Sequence, residues 1–121
     1  MEKYETRIVE CNVELTGKQK LMLMETSDAI MLNDVDNGFT LAPDIIAKIA
    51  VHNEYSENTD YDVYVIIDKD GNKYTTSSNS FWTSLKAIMD AMSDSDEAYS
   101  VKVVKVQSKN NTGKILTCAI V

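Results

Sequence analysis

The sequence predicts a mainly β protein with two helices, and three observations carry that expectation. Alternating or β-branched segments recur along the chain, at 6–15, 61–67, 99–107 and 114–121. Turn signals separate most of them: Thr16-Gly17-Lys18, the cluster at 33–38, Asp70-Gly71 and the NNTG run at 110–113. Only two segments repeat apolar residues at three- and four-residue steps. Strands joined by tight turns run antiparallel, and a doubly wound sheet would need a helix after nearly every strand. Six or seven strands with two inserted helices fit a small OB-like antiparallel barrel with a helix plugging one end. A generic α+β roll is the competing arrangement.

Each element has its own reason. In 6–15, Val9, Cys11, Val13 and Leu15 share one parity, as in a half-buried strand. The run 19–24 reads as the next strand, with Leu21 and Leu23 on one side and Met22 and Met24 on the other; 29–32 continues or follows it. Pro43 suits a first helical turn, and Ile45, Ile46, Ile49 and Ala50 give an apolar face, so a short helix is expected from 41 to 50. The polar stretch 52–60 reads as a loop. The segment 61–67 (YDVYVII) then forms a hairpin with 73–77 across Asp70-Gly71. Ser80 is a candidate N-cap for a second helix, whose Phe81, Trp82, Leu85, Ile88, Met89 and Met92 form a core-facing stripe. The acidic run 93–97 is a solvated loop, and 99–107 and 114–121 make a closing hairpin.

The 121 residues suit one domain, taken as 1–121. The first ten residues lack the apolar run of a signal peptide, and no stretch approaches the roughly 20 apolar residues of a membrane span, so a cytoplasmic protein with no membrane partner is expected. Two cysteines, Cys11 and Cys118, are too few for a disulfide scaffold and read as small core residues. They would lie close together if the first and last strands were neighbours.

Little in the sequence supports catalysis. The single histidine, His52, sits in a polar stretch with no nucleophile assigned to it. Asp68, Asp70 and Asn72 resemble the start of a calcium loop, but Gly71 is misplaced and Asn79 stands where the bidentate glutamate belongs, so a hairpin turn is the better reading. No zinc spacing, phosphate-binding loop or dinucleotide fingerprint is present. No enzyme activity, cofactor, metal or small-molecule substrate is expected.

Charge and aromatics say more. The net charge is −7, yet every acidic residue lies at or before Glu97, and 98–121 carry Lys102, Lys105, Lys109 and Lys114 with no acid. A local basic stripe can meet phosphates on an acidic body because salt screens charges beyond about 8–10 Å; equally, such lysines keep an exposed edge strand soluble. Tyr61, Tyr64 and Tyr74 fall on one expected hairpin. Tyr61 and Tyr64 are an odd step apart, so one packs inward while the other stands on the surface. Exposed rings stack on bases, and nearby lysines hold phosphates.

Asp70, Gly71, Tyr74 and Ser77, then Val101-Lys102-Val103-Val104, then Ser108, Lys109, Gly113, Lys114 and Leu116 together resemble, in order and spacing, the single-stranded DNA-binding proteins of tailed phages of Gram-positive bacteria. These include the small binding proteins of protein-primed replication and relatives in prophages and mobile elements. The resemblance spans most of 6–121. It implies an OB-like fold, coating of single strands and a role in DNA replication in the bacterial host cytoplasm. The chain departs from the pattern at Ile115 and Leu116, where an aromatic is often found. It ends on Ala119-Ile120-Val121 without an acidic tail, so recruitment of partners through such a tail is not expected.

The expected function is therefore sequence-independent binding of single-stranded DNA. Lys73, Lys102, Lys105, Lys109 and Lys114 are the candidate phosphate contacts, and Tyr61, Tyr64, Tyr74 and Tyr99 the candidate stacking residues. Two other classes remain open on the sequence: an acidic phage protein that inhibits a host protein by imitating DNA charge, and a module that self-associates through its apolar terminal strand.

Overall fold

The structure is a computed structural model that describes residues 4–107 and 114–121; the NNTG turn lies outside them. The elements are β1 (Tyr4–Cys11), α1 (Gly17–Met24), β2 (Ile30–Met31), a 3-10 turn (Leu32–Asp34), β3 (Thr40–Leu41), β4 (Pro43–Asn53), β5 (Asp60–Asp68), β6 (Lys73–Thr76), α2 (Asn79–Met92), β7 (Val101–Gln107) and β8 (Lys114–Ile120). Five strands form one sheet in the order β1-β4-β5-β6-β2, and three form another in the order β3-β7-β8. All pairings are antiparallel except the short parallel ladder of β2 with β6.

Only Ala42 separates β3 from β4, so one bent segment pairs with β7 at one end and with β5 at the other. That bend joins the two sheets. The order bent strand, β5, β6, α2, β7, β8 is the OB order, with the helix between the third and fourth strands. No ladder among the described residues links β6 to β8, where a closed barrel would have its seam. Ser78 bridges there instead, its Oγ donating to the Leu116 carbonyl at 2.9 Å.

Strand parity sorts the core into two. The even residues of β4–β6, namely Ile46, Tyr64, Ile66 and Tyr74, face α2 (Phe81, Trp82, Leu85) and the second sheet (Val101, Val103, Leu116, Cys118). The odd residues Ala47, Ile49, Val51 and Val65 form the opposite surface, capped by Leu23 of α1. Burial pushes the Cys118 thiol up to about 11. Cys11 is half-buried on β1, which pairs only with β4, so the first and last strands are not neighbours.

Three expectations for the first half of the chain, and the cap of α2, need correction. The segment 19–24 is helical, because Thr16 and Gln19 form a reciprocal capping box: Thr16 Oγ1 accepts from the Gln19 N–H at 3.2 Å and Gln19 Oε1 from the Thr16 N–H at 2.9 Å. The segment 41–50 is the central strand rather than a helix. Its isoleucines serve both faces of a strand laddered on both sides, and Pro43 sits at the strand start, where no ladder donor is needed. In β1 a register shift between Ile8 and Glu10 turns Val9 outward and puts Ile8 and Cys11 on one face, which breaks the even alternation expected there. α2 is capped by Ser78 rather than Ser80, with Ser78 Oγ accepting from the Phe81 N–H at 3.2 Å.

Candidate nucleic-acid interface

The β5–β6 hairpin is organised by Asp68. Its carboxylate accepts from the N–H groups of Asp70 (3.0 Å) and Asn72 (2.8 Å), from Asn72 Nδ2 (3.1 Å) and from the Tyr74 hydroxyl (3.1 Å). Burial alone would raise its pKa; the hydrogen bonds outweigh it and hold the carboxyl below the ordinary aspartate range. Gly71 supplies the positive φ, at 88°, that the turn requires. This is a structural turn, as its sequence suggests, and no cluster of metal-ligating side chains occurs among the described residues.

Two of the four candidate stacking tyrosines lie in the core. Tyr64 is 3% exposed, stacked on Trp82 with centroids 4.9 Å apart and planes 12° from parallel, and its hydroxyl donates to Asn79 Oδ1 at 3.2 Å. Tyr74 is 4% exposed, bound to Asp68 and edge-on to Phe39 at 5.8 Å. Burial, foremost, raises both hydroxyl pKa values. Neither ring presents a face to a base: both have even numbers on strands whose even side faces α2. Tyr61, an odd step from Tyr64, lies on the other side, half-buried opposite Val51. Tyr99 precedes β7 and packs half-buried against the main core, which raises its hydroxyl pKa.

The three candidate lysines whose side chains are described, Lys73, Lys102 and Lys105, do not converge. Lys102 is exposed on the outer face of β7, across from Thr40 and Ala119. Lys105 is an odd step away and so on the opposite face; its N–H donates to Asn37 Oδ1 (2.9 Å) and its Nζ to the Asn33 carbonyl (3.0 Å), tying the 33–38 turn to β7. Lys73 is turned inward, its ammonium donating to the Met22 and Glu25 carbonyls and lying 3.8 Å from Asp28. The β8 backbone places Lys114 opposite Gln107. Lys109 lies outside the described residues.

Sequence reasoning missed two exposed rings. Tyr4 on β1 is 53% exposed and Tyr55, in the β4–β5 turn, is 77% exposed. Tyr4 is opposite Asn53, whose Oδ1 accepts from the Tyr55 N–H at 3.0 Å, and Tyr61 follows two positions along the ladder. Three tyrosines thus share one end of β1–β4–β5. A ring set among serine, asparagine and glutamate, as at 53–58, was the available signal for Tyr55. Beside them, on the even side of the sheet, lies a hollow of about 620 Å³ lined by Glu5, Arg7, His52, Asp60 and Asp62. Its acids make it a poor seat for phosphate. His52 Nδ1 lies 2.7 Å from Asp60 and Nε2 3.6 Å from Glu54; the Asp60 hydrogen bond, foremost, raises the imidazole pKa.

The strand order defines an OB-like class of fold, with Tyr55 exposed in the turn between its first two strands, β4 and β5. The model of the phage single-stranded DNA-binding protein family, of the phi29 type, matches residues 7–120, and the chain belongs to that family. No curated protein and no solved structure matches the chain. Family membership supports a single-stranded DNA-binding role. No helix among the described residues is long and apolar enough to cross a membrane.

Proposed function

We propose that this protein coats single-stranded DNA without sequence preference during phage or mobile-element replication in the host cytoplasm, and that it is not an enzyme. The family match over residues 7–120 carries the reading. Lys102 and Lys105 of β7 and Lys114 of β8 would meet phosphates, and so would Lys109 of the segment between those strands in sequence. Tyr61, together with the exposed Tyr4 and Tyr55, would stack on bases. Tyr99 is a lesser candidate because its ring is shared with the core.

The test is a titration with poly(dT) at several salt concentrations. Each lysine–phosphate contact contributes roughly −0.7 to the slope of log K against log salt on a single strand. Replacing Lys102 and Lys105 by Ala should weaken binding and flatten that slope. A slope unchanged by both replacements would remove this hairpin from the interface. An oligonucleotide that neither shifts in mobility nor quenches tyrosine emission would move the reading to an acidic protein that captures a host enzyme.

A further inference from the structure

The strand surface that OB-like proteins use for oligonucleotides is the outer face of their second and third strands. In this chain that is the odd side of β5 and β6, continued onto β4. It presents Ile49, Val51, Tyr61, Val63, Val65, Ile67, Lys73 and Thr75 in adjacent register. The middle of it is not open: α1 lies across it, with Leu23 seated at 1% exposure against Ala47, Ile49, Val51 and Val65.

The cover is held by few contacts. α1 has eight residues, too few for independent stability in water. Leu23 is its one fully buried side chain, while Leu21 and Met22 are 68% and 51% exposed. Its hydrogen bonds to the sheet, among the described residues, are those from Lys73 Nζ to the Met22 and Glu25 carbonyls and one from Thr6 Oγ1 to Met24 Sδ. The chain is pinned on either side. Asn12 is stapled to β4 through its N–H to the Ile46 carbonyl, its Nδ2 to the Asp44 carbonyl and its Oδ1 from the Ile46 N–H. Ile30–Met31 ladder onto β6. Residues 13–29 therefore form a strap fixed at both ends and held between them by Leu23, by the partly buried Leu15 and Met24 on the same cluster, and by these few hydrogen bonds.

Lys73 shows what the strap replaces. A candidate phosphate contact on the sheet has its ammonium filled by carbonyl oxygens at the negative end of a helix, with the Asp28 carboxylate nearby. Those oxygens take the place a phosphate would occupy.

We infer that residues 13–29 are an autoinhibitory strap: single-stranded DNA displaces α1 from the β4–β5–β6 surface, and the Lys73 ammonium passes from the α1 carbonyls to a phosphate. The inference rests on the single-stranded DNA-binding reading. A strap that must open lowers the apparent affinity by the fraction of molecules already open. Its removal also uncovers the flat apolar strand surface next to Tyr61, which suits unstacked bases and not a duplex backbone.

Amide hydrogen exchange on the full chain, with and without saturating oligo(dT), tests this. The Lys20 and Glu25 amides, bonded to the Thr16 and Leu21 carbonyls, should exchange about tenfold faster in the complex or more, while β5 and β6 slow. Thr16→Ala removes the exposed cap of α1 without touching the core and should tighten oligo(dT) binding by about fivefold, the cap's usual contribution expressed as open population. Leu23→Ala should act in the same direction. Binding with unchanged or slower α1 exchange, or a Thr16→Ala variant that binds no tighter, overturns the strap and leaves the binding reading intact. Oligo(dT) that neither shifts in mobility nor protects any segment overturns both.

Discussion

Replacing Asp68 by Ala should be among the most damaging single changes in this chain. The residue is 6% exposed and its carboxylate accepts four hydrogen bonds, from two backbone N–H groups, the Asn72 amide and the Tyr74 hydroxyl. Hydrogen bonds to a charged group contribute roughly 1.5–3 kcal/mol each. The two turn amides can recover part of that from water, but the buried Tyr74 hydroxyl cannot. We expect a loss of about 3–5 kcal/mol, against a total stability of order 5–15 kcal/mol. At roughly 4 °C per kcal/mol for a domain of this size, the melting temperature should fall by about 12–20 °C. Asp68→Asn keeps one acceptor and should lose about half as much. Urea unfolding followed by circular dichroism measures both. The folded pKa of Asp68 lies below its unfolded value, so its contribution is complete above the ordinary aspartate pKa of about 3.9 and disappears as pH falls through the folded value. The gap between wild type and Asp68→Asn should therefore be flat near neutrality and close in acid. A loss below about 1 kcal/mol for Asp68→Ala, or a gap that does not narrow in acid, would refute the assignment of Asp68 as the organiser of this hairpin.

Gly71→Ala forces a side chain into φ 88° and should cost about 1–2 kcal/mol in urea unfolding although the space around it is open. Tyr64→Phe removes a hydrogen bond to Asn79 and should cost about 1 kcal/mol while leaving oligo(dT) affinity unchanged; Tyr55→Ala should do the reverse, lowering affinity by roughly 1–3 kcal/mol if a base stacks there. His52 has its folded pKa raised by Asp60, so its stabilising contribution is complete below the ordinary histidine pKa of about 6.5 and fades as pH rises through the folded value. An NMR titration of the imidazole should give a midpoint above that of a free histidine, and Asp60→Asn should lower it.

Much of the second half of the chain was legible in the sequence, and the reason is local. The β5–β6 turn, the apolar stripe of α2 and the alternation in β7 and β8 are each encoded within a few residues, and the structure places them within two residues of expectation. The first half depends on partners distant in sequence. The isoleucines at 45, 46 and 49 satisfy a helix stripe and a two-sided strand equally, and only the flanking β1 and β5 decide between them. The Thr16–Gln19 capping box was readable but was hidden behind an apparent alternation of leucine and methionine. For the site, parity correctly set Tyr61 and Tyr64 on opposite faces, yet it could not say which face the helix would take. The inward turn of Lys73 depends on carbonyls some fifty residues earlier in the chain, which no local pattern foretells.

Parity also constrains how so acidic a chain can meet a polyanion. The even side of the first sheet is committed to the core at one end, and at the other it sets Glu5, Asp60 and Asp62 beside Arg7 and His52, so it is a poor seat for phosphate. The exposed cations that form no ion pair among the described residues include Lys18 and Lys20 on α1, Lys69 at the hairpin turn and Lys102 on β7. With screening over about 8–10 Å, each acts within its own neighbourhood and not through the net charge. On the proposed binding reading, a flexible single strand would thread between such isolated cations and bring its bases to the tyrosines. A stiff duplex, with charge spaced every 1.7 Å or so along its axis, would have to run its phosphates past the acids between them. On the binding reading, the acidic body thereby sets a preference for single strands that the lysines alone would not.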